Sequence, residues 1–395
     1  MKYFLILGSN PSLSLAEILA ISGNDDNFQK VQAHDRRFVF IETKKEINCA
    51  ELVKKMGGAI KIGIISMEKN NLGIADFIQT AGTANIDFKY KFGFSVYSQV
   101  RMNINRFAME FKKYLKEDGV SSRWVTSKEN DLSSVIVEQN KLVEKGVDFC
   151  VFKIGNIFYL GKTLAVQDFK GLSRRDYGRP ERDDESGMIP PKLAQIMLNI
   201  AQVKEKTVFL DPFCGSGTIL AEASVMGVKK IYGTDISQKA IDDSRKNLNW
   251  LQRDERYNAN FQLHKISATK VSEIIEEEID AVVTEPYLGP QRGEHDLHKT
   301  VSELENLYSD SLKSIYQCLK KGADVVMVWP VFVSRAGDKK KLFLDKINHS
   351  GFEIVPLINQ EYLKNNMFSL SQKGGIVYGR PGQKVWREII HLKKK

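Results

Sequence analysis

The chain has 395 residues, a length that favours two or three domains. Its 42% hydrophobic and 27% charged residues exclude a disordered or low-complexity protein and leave enough apolar material for more than one core. Lys and Arg outnumber Asp and Glu by 58 to 49, and this net charge of +9 favours a polyanionic partner such as nucleic acid about as much as a generically basic protein.

The first 75 residues predict a small α+β domain. Segments typical of strands are KYFLILG, RFVFIET and IKIGIIS, and segments typical of helices are SLSLAEILAIS, with Ser12 or Ser14 as N-cap, and INCAELVKKMG. This order indicates a ferredoxin-like unit over residues 1–75. The opening apolar run is too short for a signal peptide. Since no stretch approaches the roughly 20 apolar residues of a membrane span, we expect a cytoplasmic protein without a membrane partner.

A second α+β block follows over residues 76–167. GIADFIQTAG and NINRFAMEFKKYLKEDG predict helices, and KFGFSVYSQ predicts a strand between them. DFCVFKIGNIFYLGKTLAV predicts a hairpin that turns at Gly155-Asn156. Residues 168–192 are dense in charge, Gly and Pro, which indicates a linker or a functional loop.

From residue 193 onward, strands and helices alternate. The pattern predicts strands at 207–211, 230–234, 260–264, 279–284, 323–329, 352–357, 375–379 and 384–392. Helices between them imply a mostly parallel, doubly wound, Rossmann-like sheet over residues 193–395. We expect the last two strands to form an antiparallel hairpin added to this sheet.

The segment TVFLDPFCGSGTILAEA carries the strongest chemical signal. An apolar strand ends at Asp211, and Gly215 and Gly217 then allow a close approach of the backbone to a ligand before a helix begins. The segment has neither the GxxxxGK[ST] of a phosphate loop nor the GxGxxG of dinucleotide-binding proteins. A second strand ends at Asp235, whose carboxylate can bind both hydroxyls of a ribose. We therefore expect an adenosine-containing ligand, and S-adenosylmethionine suits the site better than NAD because Asp211 can meet its ammonium group.

The strand IDAVVT ends at Glu285-Pro286, within the segment TEPYLGP. The carboxyl ends of parallel strands share one edge of a sheet, so this loop is expected beside Asp211 and Asp235. Cys214, one of four widely spaced cysteines, is interpreted as a small residue packed in the glycine turn and not as a nucleophile. Neither the cysteines nor the pair His295 and His298 has the spacing of metal ligands, so no metal site is predicted.

These motifs together resemble one family. DPFCGSGTILAEA resembles motif I of class I S-adenosylmethionine-dependent methyltransferases, in the form used by amino-methyltransferases. SGMIPPKLAQIMLNIA and LGKTLAVQDFKGLSRRDYGRPERDD resemble the tRNA guanosine-10 N2-methyltransferase group and its junction with a THUMP RNA-binding domain. KFGFSVY and SRWVTSKENDLSSVIVEQNKL resemble the THUMP region itself. The resemblance covers most of the chain and implies a ferredoxin-like plus THUMP region before a methyltransferase domain, with tRNA as substrate.

The resemblance also implies roles for individual residues. The implied cofactor-binding residues are Pro190, Asp211, Phe213, Gly215, Gly217, Asp235 and Ser267. Ser267 stands where an adenine-binding Asp is expected, so the adenine contact differs from the family pattern. Candidate RNA-contacting residues are Lys54, Lys55, Lys112, Lys113, Arg174 and Arg175, with orientation of the linker as the alternative role for the two arginines. Some relatives use a small activator subunit, which makes such a subunit a candidate partner.

The implied catalytic residues are Glu285, Pro286 and Tyr287, which depart from the family's Asp/Asn-Pro-Pro-Tyr/Phe. Without a gap, Tyr287 replaces the second Pro and Leu288 replaces the aromatic residue. Alternatively, one Pro is absent and Tyr287 is the stacking aromatic residue. An acid and a backbone carbonyl would hold the guanine amine, Pro would fix the loop, and the aromatic ring would stack on the base.

Other functions fit parts of the pattern. The same fold could act on rRNA instead of tRNA. The catalytic domain alone does not exclude a DNA amino-methyltransferase, although the THUMP-like half disfavours DNA. A degenerate TEPYLGP loop would leave a tRNA-binding protein without catalysis. A THUMP-containing thiolating enzyme is disfavoured because the sequence has neither its ATP loop nor a paired reactive Cys.

Overall fold

The computed structural model describes residues 1–82, 88–97, 102–182, 188–255, 257, 259–290, 296–333, 341–364, 366–380 and 382–395. Two compact units are present. Unit 1 comprises residues 1–11 and 25–169, and unit 2 comprises residues 12–24 and 170–395.

Unit 1 is built around one mixed sheet. Its strands are β1 (Lys2–Leu7), β2 (Phe28–Ala33), β3 (Phe38–Thr43), β4 (Ala59–Lys69), β5 (Tyr90–Val96), β6 (Ser122–Trp124), β7 (Gly146–Ile154) and β8 (Ile157–Val166). Its helices, numbered with those of the whole chain, are α2 (Cys49–Lys54), α3 (Ile74–Ala81), α4 (Ile104–Glu117) and α5 (Ser134–Gln139). The strand order is β2-β3-β1-β4-β8-β7-β5-β6.

The regions 1–75 and 76–167 therefore contribute strands to a single sheet, because β4 pairs with β8 over eight residue pairs. The domain boundary predicted near residue 75 falls within the first turn of α3. The hairpin turns at Gly155 as predicted, with φ of 58°. The short elements β2, β6 and α5 were not predicted, because their few residues carry weak periodicity.

Helix α1 (Pro11–Ser22) groups with unit 2, although the sequence predicts it in the N-terminal domain. Asn199 donates a hydrogen bond to buried Glu17 (2.7 Å), and Gln202 donates one to the carbonyl of Ala20 (2.8 Å). Every residue from Ser12 to Ile18 is buried, as expected for a helix within a core. The predicted N-cap at Ser12 or Ser14 is wrong, because the helix already begins at Pro11, a favoured first position.

Unit 2 contains the second sheet. Its strands are β9 (Val208–Asp211), β10 (Lys230–Asp235), β11 (Asn260–Lys265), β12 (Ile279–Thr284), β13 (Leu319–Val333), β14 (Lys341–Phe343), β15 (Phe352–Ile354), β16 (Ile376–Tyr378) and β17 (Val385–Lys394). Its further helices are α6 (Phe169–Tyr177), α7 (Pro191–Ile200), α8 (Thr218–Val225), α9 (Gln238–Glu255), α10 (Leu297–Cys318) and α11 (Gln360–Leu363), with a 3₁₀ turn at Ala268–Glu273.

The sheet follows the order β11-β10-β9-β12-β13-β17-β15 and has a Rossmann-like parallel half. The first five strands in this order, β11, β10, β9, β12 and β13, are each parallel to their neighbours. Strand β17 then runs antiparallel to both β13 and β16, so the predicted hairpin is present and the sheet as a whole is mixed. Because β9, β10 and β12 are parallel, the loops that follow them open at one edge.

The segment 168–192, predicted as a linker, includes helix α6 and the start of α7, while residues 183–187 lie outside the described chain. Arg175 on α6 is buried and forms two hydrogen bonds with Glu222 on α8, at 2.7 and 3.1 Å. Gln195 donates a third hydrogen bond to this carboxylate (2.9 Å). Arg175 therefore stabilises unit 2 and is not exposed to RNA, whereas Arg174 is about half-exposed and pairs with Asp254 (3.0 Å).

Candidate active site

A cavity of about 910 Å³ opens at the carboxyl edge of the unit 2 sheet. The ends of three parallel strands and the loops after them line it: Asp211 at the end of β9 with Gly215 and Ser216 of the glycine turn, Asp235 at the end of β10, and Glu285 to Pro290 after β12. The volume lies within the range of about 300–1,000 Å³ for small-molecule sites. The predicted Asp211, Phe213, Gly215, Asp235 and Ser267 contribute to one lining.

The glycine turn leaves the backbone open to a ligand. Gly215 has φ of 51°, and a Cβ built on it would meet no atom within 4 Å. Gly217 has φ of 84°, and its Cβ would lie 2.8 Å from the hydroxyl of Ser244. That hydroxyl donates a hydrogen bond to the carbonyl of Gly215 (2.7 Å). Only glycine satisfies both the positive φ and the close approach at position 217.

Asp235 is anchored by backbone groups. The N–H of Gly215 donates to Oδ2 (3.0 Å), and the N–H of Ser237 donates to Oδ1 (2.9 Å). Each carboxylate oxygen retains a further lone pair, so the side chain can still accept hydrogen bonds from two adjacent ribose hydroxyls.

Asp211 is almost completely buried at the end of β9. Burial raises the pKa of its carboxyl to about 7, and the nearby charges of Asp235 and Glu285 contribute to the same rise. Hydrogen bonds from the hydroxyl of Thr284 (2.7 Å) and the N–H of Phe213 (3.2 Å) act in the opposite direction. A cationic ligand group beside this carboxyl would favour its ionised form.

Glu285 has a partner that the sequence did not reveal. The guanidinium of Arg387 on β17 donates from Nε to Oε1 and from Nη2 to Oε2 (3.2 Å). The two side chains are only 10% and 11% exposed. Burial alone would lower the pKa of Arg387, but the charge and hydrogen bonds of Glu285 more than offset this effect and the pKa is raised. A sequence signal for this pair does exist: Arg387 and Glu388 are adjacent charged residues in the largely apolar segment VWREIIHL.

Tyr287 extends from the same loop with its side chain 58% exposed at the cavity. The backbone beneath it is fixed, because the buried hydroxyl of Tyr308 donates to the carbonyl of Tyr287 (2.8 Å). Leu288 is buried, and the adjacent Gly289 has φ of 90°. Of the two alignments, the exposed ring at position 287 and the buried side chain at 288 favour Tyr287 as the residue available for stacking.

The remaining candidates occupy different positions. Ser267 caps the 3₁₀ turn by accepting from the N–H of Thr269, and it also lines the cavity. Pro190 is the N-cap residue of α7, and the lining includes its neighbours Met188 and Ile189 but not Pro190 itself. Cys214 is buried, and burial raises the pKa of its thiol, which disfavours a nucleophilic thiolate.

Within the described ranges, no group of three or more His, Cys, Asp or Glu side chains is arranged to hold a metal ion. His298 lies in the first turn of α10, and His295 lies outside the described residues. In the same part of the chain, none of the helices combines the length and apolar character that crossing a membrane requires.

Comparisons with known proteins agree with this architecture. Residues 179–333 match the family model of the RMKL-like methyltransferase domain, UPF0020. The crystal structure of TrmN from Thermus thermophilus shares the fold, with a TM-score of 0.53 over 100% of both chains and 16% sequence identity. Unit 2 thus contains a methyltransferase-like Rossmann fold with a mixed sheet.

Curated relatives include enzymes named tRNA (guanine(10)-N2)-dimethyltransferase. The protein of that name from Methanothermobacter thermautotrophicus is 34% identical over 46% of this chain and 49% of its own length. A second from Methanocaldococcus jannaschii is 31% identical over 42% of this chain and 47% of its own length. The chain thus spans about half the length of these two relatives. A third, from Pyrococcus abyssi, is 24% identical over 81% of this chain and 86% of its own length.

Proposed function

We propose that the protein is an S-adenosylmethionine-dependent methyltransferase that acts on the exocyclic N2 of a guanosine in tRNA. The observation that carries the proposal is the convergence of Asp211, Asp235 and the Glu285-Pro286-Tyr287 loop on one cavity. The names of the archaeal relatives support the same nucleotide and the same atom.

The residues of the cavity fit S-adenosylmethionine. Asp235 would hold the ribose hydroxyls, the glycine turn would lie against the ligand, and Asp211 would face its ammonium group. Ser267 would contribute at the adenine end through a hydroxyl instead of a carboxylate. When bound, this cofactor supplies an electrophilic methyl group on a sulfonium.

The loop after β12 would hold the nucleophile. The N2 lone pair of guanine is delocalised into the ring, so the amine needs hydrogen-bond acceptors that favour a tetrahedral nitrogen. Glu285 would accept one N–H of the amine, and Tyr287 would stack on the base, an interaction worth about 1–3 kcal/mol per base. Methyl transfer would form the nitrogen–carbon bond as the sulfur–carbon bond of the sulfonium breaks, and the acidic product ammonium would release its proton to water without a dedicated base.

Unit 1 is proposed as the ferredoxin-like and THUMP-like region that binds the tRNA. Lys54, Lys112 and Lys113 on its helices, and Lys55 directly after α2, are exposed, so phosphate groups could reach them. The target guanine would be turned out of its stack to enter the cavity of unit 2 before methylation. The proposal also includes a small activator subunit as a partner of the protein and the cytoplasm as its location.

The decisive experiment incubates the purified full chain with S-adenosylmethionine labelled in its methyl group and with unmodified tRNA. Nucleosides are then separated to identify the labelled species and to count one or two methyl groups. Wild type is compared with Glu285→Gln, which keeps the side-chain shape but removes the charge. We expect label in N2-methylated guanosine. The variant should lose about 100-fold in rate, because a neutral amide pairs more weakly with Arg387 and a resulting displacement of ~1 Å can reduce rates by this factor.

Label in another tRNA nucleoside would overturn the guanosine assignment. Label in rRNA or DNA but not in tRNA would identify one of the alternative substrates. The protein is also tested together with a cell extract of its source, which would supply an activator subunit. If it binds tRNA but transfers no methyl group either alone or with the extract, it is a non-catalytic tRNA-binding protein.

A further inference from the structure

The link between Glu285 and Arg387 crosses the sheet of unit 2. Strand β17 is separated from β12 by β13, and Arg387 pairs in register with Pro330 of β13. Neighbouring strands lie about 4.8 Å apart, so the two side chains must together span roughly 10 Å. Arginine is the longest cationic side chain, and glutamate is one methylene longer than the aspartate of the family pattern. The length of Glu285 thus matches the distance to its partner.

The geometry of the pair fixes the carboxylate. Two N–H groups of one guanidinium bind the two carboxylate oxygens, which defines both the position and the plane of the group. Each oxygen keeps a second lone pair that can accept an N–H from a ligand. Glu285 lines the cavity, so its carboxylate can serve the guanidinium and a ligand together.

We propose that Arg387 is a positioning residue that holds Glu285 in the orientation required to accept an N–H of the target amine. This inference rests on the proposed function and extends it to a residue on the antiparallel part of the sheet. The pair Glu285–Arg387 takes the place of a shorter acid or amide, because the ion pair restores the rigidity that an extra methylene removes. Arg387 itself contacts the carboxylate and not the reacting atoms.

A double-mutant cycle in kcat tests the proposal. Arg387→Met removes the charge and keeps much of the side-chain length, Glu285→Gln removes the carboxylate, and the third variant carries both changes. We expect each single change to lower kcat for methyl transfer to tRNA about 100-fold. The double variant should be no slower than Glu285→Gln, because two residues that act as one unit are not additive. KM for S-adenosylmethionine should stay within about twofold, since the cofactor residues lie on other strands.

Arg387→Lys is the second variant, because it keeps the positive charge but cannot form the two parallel hydrogen bonds. Its kcat should fall between that of wild type and that of Arg387→Met, and the same cycle is run with it where Arg387→Met does not fold. Arg253→Met is the matched control: this exposed arginine on α9 of unit 2 should leave kcat unchanged.

Three results would overturn the positioning role. They are a kcat for Arg387→Met close to that of wild type, losses that multiply in the double variant, and a KM for the cofactor that changes as much as kcat. Wild-type protein without methyl transfer to any guanosine would instead overturn the proposed function, and the positioning role with it. The wild-type rate therefore separates the two failures.

Discussion

At the level of a single residue, the proposed cofactor role of Asp211 predicts that cofactor affinity depends on pH. Its carboxyl has a pKa of about 7 in the ligand-free protein, so it carries a proton over much of the range below pH 7. A cationic ligand group requires the carboxylate form, and this proton must be released on binding. We expect the Kd for S-adenosylmethionine to rise as the pH falls below about 7, by up to about tenfold per unit, and to level off above pH 8. Calorimetric titration at several pH values measures this.

The same residue gives a check through stability. Folding raises the pKa of Asp211 from its ordinary value of 3.8 to about 7. Between about pH 4 and 7 the folded protein therefore binds more protons than the unfolded chain. The contribution of Asp211 to stability therefore decreases as the pH rises through that window. Asp211→Asn should gain stability relative to wild type more at pH 8 than at pH 5 in urea unfolding. Equal differences at the two pH values would contradict the raised pKa.

Gly217 tests the glycine turn against a matched position. Gly217→Ala forces alanine into positive φ and places its Cβ 2.8 Å from the hydroxyl of Ser244. Gly227→Ala imposes a similar φ of 98° without an atom within 4 Å of the Cβ. Both should destabilise the protein by about 1–2 kcal/mol through backbone strain. Only Gly217→Ala should also weaken binding of S-adenosylmethionine, as measured by calorimetry. If Gly217→Ala and Gly227→Ala changed the Kd for the cofactor equally, the glycine turn would have no role in the cofactor site.

Sequence patterns identified those site residues that follow strand ends, because the position of a loop in a parallel sheet depends on local periodicity. Asp211, Asp235 and Glu285 were found in this way, and they line one cavity. Arg387 was missed because its contact with Glu285 joins residues 102 positions apart, across an intervening strand. Position along the chain does not indicate which charged residue of a buried strand meets which loop.

At the level of elements, helix α6 is held to helix α8 by a buried ion pair. Arg175 and Glu222 are 5% and 1% exposed, and burial raises the pKa of Glu222 despite its cationic partner. Arg175→Met would leave that carboxylate buried without its guanidinium, and removal of one partner from such a pair typically destabilises a protein by about 3–5 kcal/mol. Urea unfolding measures the loss. Arg175→Met combined with Glu222→Leu should recover part of it.

Arg174→Met on the same helix is the control for this change. Its pair with Asp254 is almost half-exposed on both sides, and exposed ion pairs contribute about 0–1 kcal/mol. We expect Arg174→Met to leave stability within that margin. A loss as large as that of Arg175→Met would mean that burial is not what distinguishes the two arginines.

Helix α1 shows where sequence-based prediction of elements ends. The periodicity of SLSLAEILAIS predicts a helix, and a helix is present at Pro11–Ser22. Its grouping with unit 2 depends on hydrogen bonds to residues about 180 positions away, such as Asn199 and Gln202. Local patterns specify that an element forms, whereas non-local contacts decide which core it joins. For the same reason the division of residues 1–192 into domains stays a prediction.

For the whole molecule, the net charge of +9 bears on how the protein would meet its substrate. Positive charge favours binding of polyanions in any sequence, and the released counterions make that binding sensitive to salt. A cofactor held by backbone groups and two carboxylates in a cavity has no such dependence. The two binding events of the proposed reaction should therefore respond differently to ionic strength.

We expect the Kd for tRNA to weaken about 10³-fold or more between 50 and 200 mM salt, as for proteins with at least six phosphate contacts. Over the same range the Kd for S-adenosylmethionine should change less than about twofold, because in the proposed site the ligand would meet Asp235 and Asp211 at short distance, where screening is weak. Fluorescence titration of labelled tRNA and calorimetry of the cofactor give both values on one preparation.

Lys112→Gln with Lys113→Gln should reduce the slope of log K for tRNA against log salt concentration by up to about 2 if both exposed side chains of α4 contact phosphates. An unchanged slope would move the RNA-binding surface away from α4, and a Kd for tRNA that is insensitive to salt would contradict a phosphate-based interface altogether.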